Sequence, residues 1–445
     1  MSPTILVRGG VVLTVDPRRP IVHGDVLVEE GRLAVVGGAV SLAGRRAAQV
    51  LDATGCAVLP GLVQTHVHLC QVLLRGMADD LSLLDWLRRR IWPLEAAHDE
   101  RSLEASARLG IAELIRGGTT TVLDMGTVRH HDVVFEALAG SGLRAFSGKA
   151  MMDAGDRLPR RLRETTRQSL EESRRLWEKW DGAAGGRIHY AFAPRFALSC
   201  SDRLLGAVAQ AAKDLGAIVH THAAENRQER ALVRRAKGVD DVMHLERMGI
   251  SGPRAVLAHG VHLTDREIRR MARLGTRVVH CPSANLKLGS GIARIPKLLE
   301  AGVEVGIGAD GAPCNNNLDA LREVRLASLL AKAAFGPTAL AARTALELAT
   351  IRGARLLGLD REIGTIEVGK RADLTVLDLT GLHSVPPGDP YATVVYAARG
   401  SDVRHVLCDG RVLLSHGRLT TVDEGAVREA AMREAPRLLA RAKLQ

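Results

Sequence analysis

Between residues 57 and 360 the chain changes period repeatedly. Short apolar runs are followed by longer segments whose apolar residues recur every three or four positions. That alternation predicts parallel strands joined by helical crossovers. Eight runs have strand character, at 62–66, 120–124, 144–148, 188–193, 217–222, 255–259, 277–280 and 303–309. Helices are expected over 103–116, 161–177, 203–213 and 265–273. Eight such units predict an α/β fold, a (β/α)8 TIM barrel. A doubly wound open sheet satisfies the same strand count.

The two ends read differently. Short strands with glycine turns lie at 5–8, 11–13, 25–28 and 33–36, and 372–377 and 403–414 have the same texture. Both ends together predict one small β-sandwich domain, from residues 1–56 and 361–445, around a barrel of residues 57–360. A final helix is expected over about 426–443, with a kink at Pro436.

Composition adjusts this picture in three places. The 445 residues are 46% apolar but only 3% aromatic, so the core must be built from Ala, Val, Leu and Ile. The net charge of +11 raises nucleic-acid binding. The arginines, however, are dispersed along expected helix faces, as at 160–175, with no Lys-rich or aromatic recognition stretch. No nucleic-acid partner is expected. Six cysteines without framework spacing suit a reducing compartment. No basic segment followed by an apolar run opens the chain, and no run reaches membrane length. The expectation is a cytoplasmic protein with no membrane partner.

The chemistry lies at the expected strand ends. The first strand ends in His66-Val67-His68. Alternation along a strand puts both imidazoles on one face, where they can hold a divalent metal. A bare His-x-His is also common as a pair of core histidines. The later strands supply the rest: the fifth ends in His222, three residues before Glu225; the sixth ends in His259; the eighth runs into Asp310. In a barrel these ends share one rim. Three histidines and an aspartate suit a borderline ion such as Zn2+, with a position left for water. Metal binding brings that water towards ionisation at neutral pH. Glu225, beside the ion, can take its proton and pass it to a leaving group, and His259 can polarise the hydroxide.

These residues, in this order, resemble the amidohydrolase superfamily in its mononuclear-metal branch. More narrowly, the chain is similar to the group holding adenosine-type deaminases (S-adenosylhomocysteine, methylthioadenosine, 5′-deoxyadenosine), guanine deaminase and s-triazine hydrolases. The likeness covers about residues 4–420. It implies His66, His68, His222 and Asp310 as ligands of one divalent metal, Zn2+ or else Fe2+. It implies Glu225 as proton shuttle, His259 as electrostatic partner of the hydroxide, and Asp310 as a further proton acceptor.

Leu81-Ser82-Leu83-Leu84-Asp85-Trp86-Leu87, with Trp92-Pro93-Leu94-Glu95, resembles the loop that covers the substrate there. Trp86 and Glu95 are thereby implied substrate contacts, Glu95 towards the nucleoside. Two departures bear on the substrate. Arg195 follows Pro194 where adenosine-type members tend to carry His; with Gln71 it is similar to guanine deaminase, where such residues contact the base. Cys314 stands where methylthioadenosine-type enzymes often carry Ser.

The implied reaction is hydrolytic deamination of a small N-heteroaromatic. An adenosine-type nucleoside comes first, guanine or a related free base second, and an s-triazine losing amine or chloride third. The resemblance also implies a homo-oligomer, a dimer or larger. A binding protein on a dead barrel would predict a broken ligand set, and here every ligand and Glu225 are present. Of the remaining candidates, Lys149 is a poor case for a bridging ligand, since nothing else asks for a second metal. His220 reads as packing behind His222. Cys70, Cys281 and Cys314 lack an adjacent base and read as small packing side chains.

Overall fold

The computed structural model describes residues 4–42 and 49–444; the opening residues 1–3 of the strand-like N-terminus lie outside it. Eight parallel strands form a closed barrel: Leu62–Val67, Thr119–Met125, Arg144–Gly148, Ile188–Pro194, Ile218–Ala223, Ala255–His259, Arg277–His280 and Val305–Ile307. Each pairs with the next, and the eighth returns to the first where Ile307 lies beside Gln64. The open-sheet alternative is thereby replaced by the TIM barrel.

Strand eight is shorter than the apolar run 303–309 predicted, because the chain there presses on strand one. A Cβ on Gly308 would lie 2.4 Å from the carbonyl oxygen of His66, so only glycine fits at that crossing. The buried Gln64 stitches the closure. Its Nε2 donates to Thr119 Oγ1 at 3.0 Å and to the Leu318 carbonyl at 2.8 Å, and its Oε1 accepts from the Ala309 amide at 3.1 Å. A polar residue inside an apolar strand is tolerable only when it is satisfied in this way.

The helix expected to start at 161 begins instead at Thr166. Residues Arg160–Leu162 make a single tight turn, and Thr165 caps the helix Thr166–Trp180 in a reciprocal bond with Gln168. That Thr-x-x-Gln signature is visible in the sequence and outweighs the periodicity that placed the start earlier. The last helix, Glu424–Ala442, runs through Pro436 and packs on Glu100–Arg116.

Both chain ends build the remaining sheets. A seven-stranded sheet joins N-terminal strands, including Val11–Leu13 and Cys56–Pro60, to C-terminal ones, including Leu374–Asp378 and Val403–Cys408. A four-stranded sheet is formed by Ile5–Arg8, Val26–Glu29, Arg32–Val36 and Gln49–Asp52. Ile5, Val26 and Val28 from one share a buried cluster with Val58, Leu374 and Leu407 from the other. This is the sandwich that the alternation at both ends predicts. Cys56–Pro60 feeds straight into barrel strand one, so the sandwich anchors the strand that carries His66.

The two parts also meet through charge. Arg144, on barrel strand three, lies 3.1 Å from Asp373 with both side chains buried, and Asp373 also accepts from the Asp409 amide at 2.8 Å. Removing one partner of such a pair leaves a buried charge uncompensated. Asp373→Ala is expected to lower unfolding free energy by about 3 kcal/mol, measured by chemical denaturation; a change below about 1 kcal/mol would mean the joint does not depend on this pair.

Candidate active site

Four imidazoles and two carboxylates converge on the C-terminal rim of the barrel. His66 sits on strand one and His68 just past its end; His222 is on strand five, His259 ends strand six, and Asp310 follows strand eight. Nε2 of His66 and Nε2 of His68 lie 3.4 and 3.3 Å from Asp310 Oδ1. Nε2 of His68 lies 3.3 Å from Nε2 of His222. All four residues are buried or nearly so.

The opposite ring nitrogens fix what those atoms are. His68 Nδ1 lies 2.7 Å from the Met125 carbonyl, and His222 Nδ1 lies 2.6 Å from the Arg195 carbonyl. A carbonyl only accepts, so each Nδ1 carries the proton. On a neutral ring Nε2 then presents a lone pair. Burial keeps His222 well below the ordinary histidine range and pushes His66 down to about 4, so both are neutral at physiological pH. Burial lowers His68 but the Asp310 carboxylate beside it raises it further, so a proton or a cation bridges the 3.3 Å between its Nε2 and that of His222, while the buried His66 Nε2 lacks any hydrogen-bond partner. A cation between them and Asp310 satisfies all three, and His66, His68 and Asp310 lie within the span such an ion needs. The donor set therefore fits a divalent metal.

His66 Nδ1 meets His220 Nε2 at 2.8 Å. With His66 Nε2 kept for an ion, Nδ1 donates and His220 accepts. His220 thus orients a candidate ligand from behind, as its place in the sequence suggests. His259 is held likewise, with Nδ1 2.9 Å from Asn285 Oδ1, while its Nε2 faces Glu225 at 3.5 Å and Asp310 at 3.9 Å. Glu225 is buried, and burial raises its carboxyl to about 7. Asp310 goes the other way: burial opposes its charge, but His66, His68 and His259 around it hold it well below the carboxylate range. Two neighbouring carboxyls are thereby set apart, one poised near neutrality and the other ionised at rest.

Three strained backbone positions meet here. Ala224, His259 and Asp310 all adopt left-handed conformations, with φ of 54°, 78° and 64°. Side chains rarely accept that region, and its clustering at one rim marks a functional centre.

Above this floor lies a narrow cleft with apolar walls from Leu83, Trp86, Leu87, Phe196 and Leu288. The segment expected to be a covering loop is helical, Leu83–Trp86 and Trp92–Ala96 joined by a wider turn at Leu87–Ile91. Arg195 lines the cleft and forms a buried two-pronged pair with Glu95, at 2.5 and 3.0 Å. Gln71 Nε2 donates to Glu95 Oε1 at 2.7 Å. Of the sequence candidates for substrate contact, Trp86, Arg195 and His259 reach the cleft. Gln71, Glu95 and Cys314 lie one layer behind it, and the Cys314 thiol is turned to the Gly311 carbonyl at 3.1 Å.

Lys149 is placed elsewhere: its Nζ lies 2.6 Å from Glu164. Sequence reasoning missed the parts that orient the site. The carbonyls of Met125 and Arg195 carry no side-chain signal. Asp124 accepts from the Leu69 amide at 2.8 Å, just after His68, and reads from sequence as an ordinary strand residue.

The sequence profile of the amidohydrolase family matches residues 57–413. The chain is 41% identical over 402 residues to the 5-methylthioadenosine/S-adenosylhomocysteine deaminase of Moorella thermoacetica, covering 90% of this chain and 92% of that one. It is 40% identical to the 5′-deoxyadenosine deaminase of Methanothermobacter thermautotrophicus, covering 97% of each. A crystal structure of an adenosine deaminase from Xanthomonas campestris with bound zinc superposes with a TM-score of 0.91 at 33% identity, covering 98% of both chains.

The Arg195–Glu95 pair gives a test of the cleft's electrostatics. Arg195→Met strands the Glu95 charge and is expected to cost about 3 kcal/mol of stability, while Arg195→Met with Glu95→Gln regains most of it. Denaturant titration of both variants checks this; an equal loss in the double variant would mean that Arg195 acts by packing alone.

Proposed function

This chain belongs to the amidohydrolase family, and on that premise we propose that it deaminates an adenosine-type nucleoside: 5′-deoxyadenosine, methylthioadenosine or S-adenosylhomocysteine. The observation that carries this reading is the placing of the buried Glu225 carboxyl, facing His259, beside the converging Nε2 atoms of His66, His68 and His222. The relatives' substrates supply the nucleoside class.

In this reading His66, His68, His222 and Asp310 hold one Zn2+, the ion that suits three imidazoles and a carboxylate. The ion supplies positive charge that makes a water nucleophilic at neutral pH. The protein's own residues do the rest. Asp310, kept ionised, accepts a proton from the attacking water. Glu225, poised near neutrality, protonates the purine ring nitrogen as water adds to the amine-bearing carbon; the proton held by Asp310 then leaves with the ammonia, and the adduct's hydroxyl returns a proton to Glu225. His259, aimed by Asn285, faces the developing charge. The apolar walls of Leu83, Trp86 and Leu87 exclude bulk water. The cleft they leave is narrow, and admitting a nucleoside requires one of its walls to open.

A second reading, a guanine-type free base, is favoured by one feature. Arg195 offers guanidinium donors at the cleft wall where the adenosine-type pattern has histidine. Against it, both prongs of Arg195 are engaged by Glu95.

Ammonia release by zinc-loaded protein on adenosine, 5′-deoxyadenosine, methylthioadenosine, S-adenosylhomocysteine, guanine and aminotriazines separates these. Turnover confined to the nucleosides is expected. Turnover of guanine alone would transfer the specificity role to Arg195 and Gln71 and overturn the first choice.

A further inference from the structure

The Glu225 carboxyl makes no hydrogen bond among the described residues; its one ion-pair contact there is His259 Nε2, at 3.5 Å. A proton carrier needs placement within a few tenths of an ångström. If side-chain partners do not supply it, the backbone must. The residue before it, Ala224, holds a left-handed conformation at φ 54°, which an alanine does not keep unaided.

Both faces of Ala224 are clamped. Its amide donates to Asp241 Oδ2 at 2.5 Å, and its carbonyl accepts from the His262 amide at 2.9 Å. Asp241 opens the short helix Asp241–Arg247 and is fully buried. Its second oxygen has no hydrogen-bond partner but lies 3.5 Å from Arg230 Nε. Arg230 in turn pairs with Glu267 at 2.7 Å and Asp240 at 3.0 Å, and it donates to the carbonyl of His262, whose amide holds the other face of Ala224. One ionic cluster therefore grips both sides of a single strained residue. None of its members reaches the cleft.

We propose that Asp241 is a positioning residue for the deamination: through the Ala224 amide it fixes the left-handed turn that aims Glu225, and Arg230 holds Asp241 and the His262 loop in register. This rests on the reading of Glu225 as the proton carrier.

The test is steady-state kinetics and metal content on zinc-loaded Asp241→Asn and Asp241→Glu, each alone and combined with Glu225→Gln. Asn keeps the volume and weakens the acceptor. Glu keeps the charge facing Arg230, and so the fold, but displaces the oxygen by one methylene. Each is expected to lower kcat on the order of 100-fold, with KM within about threefold and the metal retained at the wild-type ratio. In the Glu225→Gln background neither should lower kcat further, because a device that acts through Glu225 has nothing left to aim. Adding Ala224→Gly, which makes the left-handed turn easy, should restore part of the loss of Asp241→Asn.

Normal kcat in both Asp241 variants would overturn the proposal. So would losses that multiply with Glu225→Gln, or a fall in bound zinc that accounts for the lost rate. Near-normal turnover by Glu225→Gln alone would instead sink the proton-carrier reading and leave the Asp241 result to be judged as structural.

Discussion

The site depends on two backbone carbonyls. Those of Met125 and Arg195 each accept from an Nδ1, and in doing so turn two imidazoles so that their Nε2 atoms face one another across 3.3 Å. That leaves the buried His66 Nε2 unpaired and a gap between the other two that a proton or a cation has to bridge. A cation shared with Asp310 would fill that gap, as the proposed function requires. Each carbonyl belongs to a barrel strand neighbouring the sheet position of its histidine: Met125 lies on strand two beside strand one, and Arg195 directly follows strand four beside strand five. Parallel pairing thus delivers both the ligand and the group that orients it.

Barrel closure sets the same constraint from the other side. Gly308 lets strand eight press against the His66 backbone, and Asp310 then emerges with its amide donating to the His66 carbonyl at 3.0 Å. A larger residue at 308 would push apart the two strands that carry His66 and Asp310. The sandwich contributes upstream, since Cys56–Pro60 lies between Leu374–Asp378 and Val11–Leu13 before the chain enters strand one. Both chain ends are therefore recruited to hold the strand with the first two histidines. No described helix is long and apolar enough to cross a membrane.

Much of this was legible in the sequence, for a physical reason. Buried parallel strands are short apolar runs, and in a barrel their ends must share a rim, so His66, His68, His222, Glu225, His259 and Asp310 could be grouped without coordinates. What sequence could not supply was anything mediated by the backbone. The carbonyl partners, the left-handed turns at Ala224, His259 and Asp310, and the crossing at Gly308 leave no side-chain pattern. Charge pairing was hidden in the same way. Glu95 and Arg195 were each read as facing a substrate; that they also pair with each other across 100 positions was not visible. Asp241 is one of many acidic residues at a helix start, and only its 2.5 Å bond to a strained amide distinguishes it.

Anomalous diffraction at the zinc edge, on crystals of the zinc-loaded protein, tests the central claim most directly. The account predicts one peak per chain, bounded by Nε2 of His66, His68 and His222 and by the Asp310 carboxylate, with Glu225 beside it and not bound. A peak centred elsewhere, such as on Lys149 and Glu164, or none at full zinc loading, would contradict it.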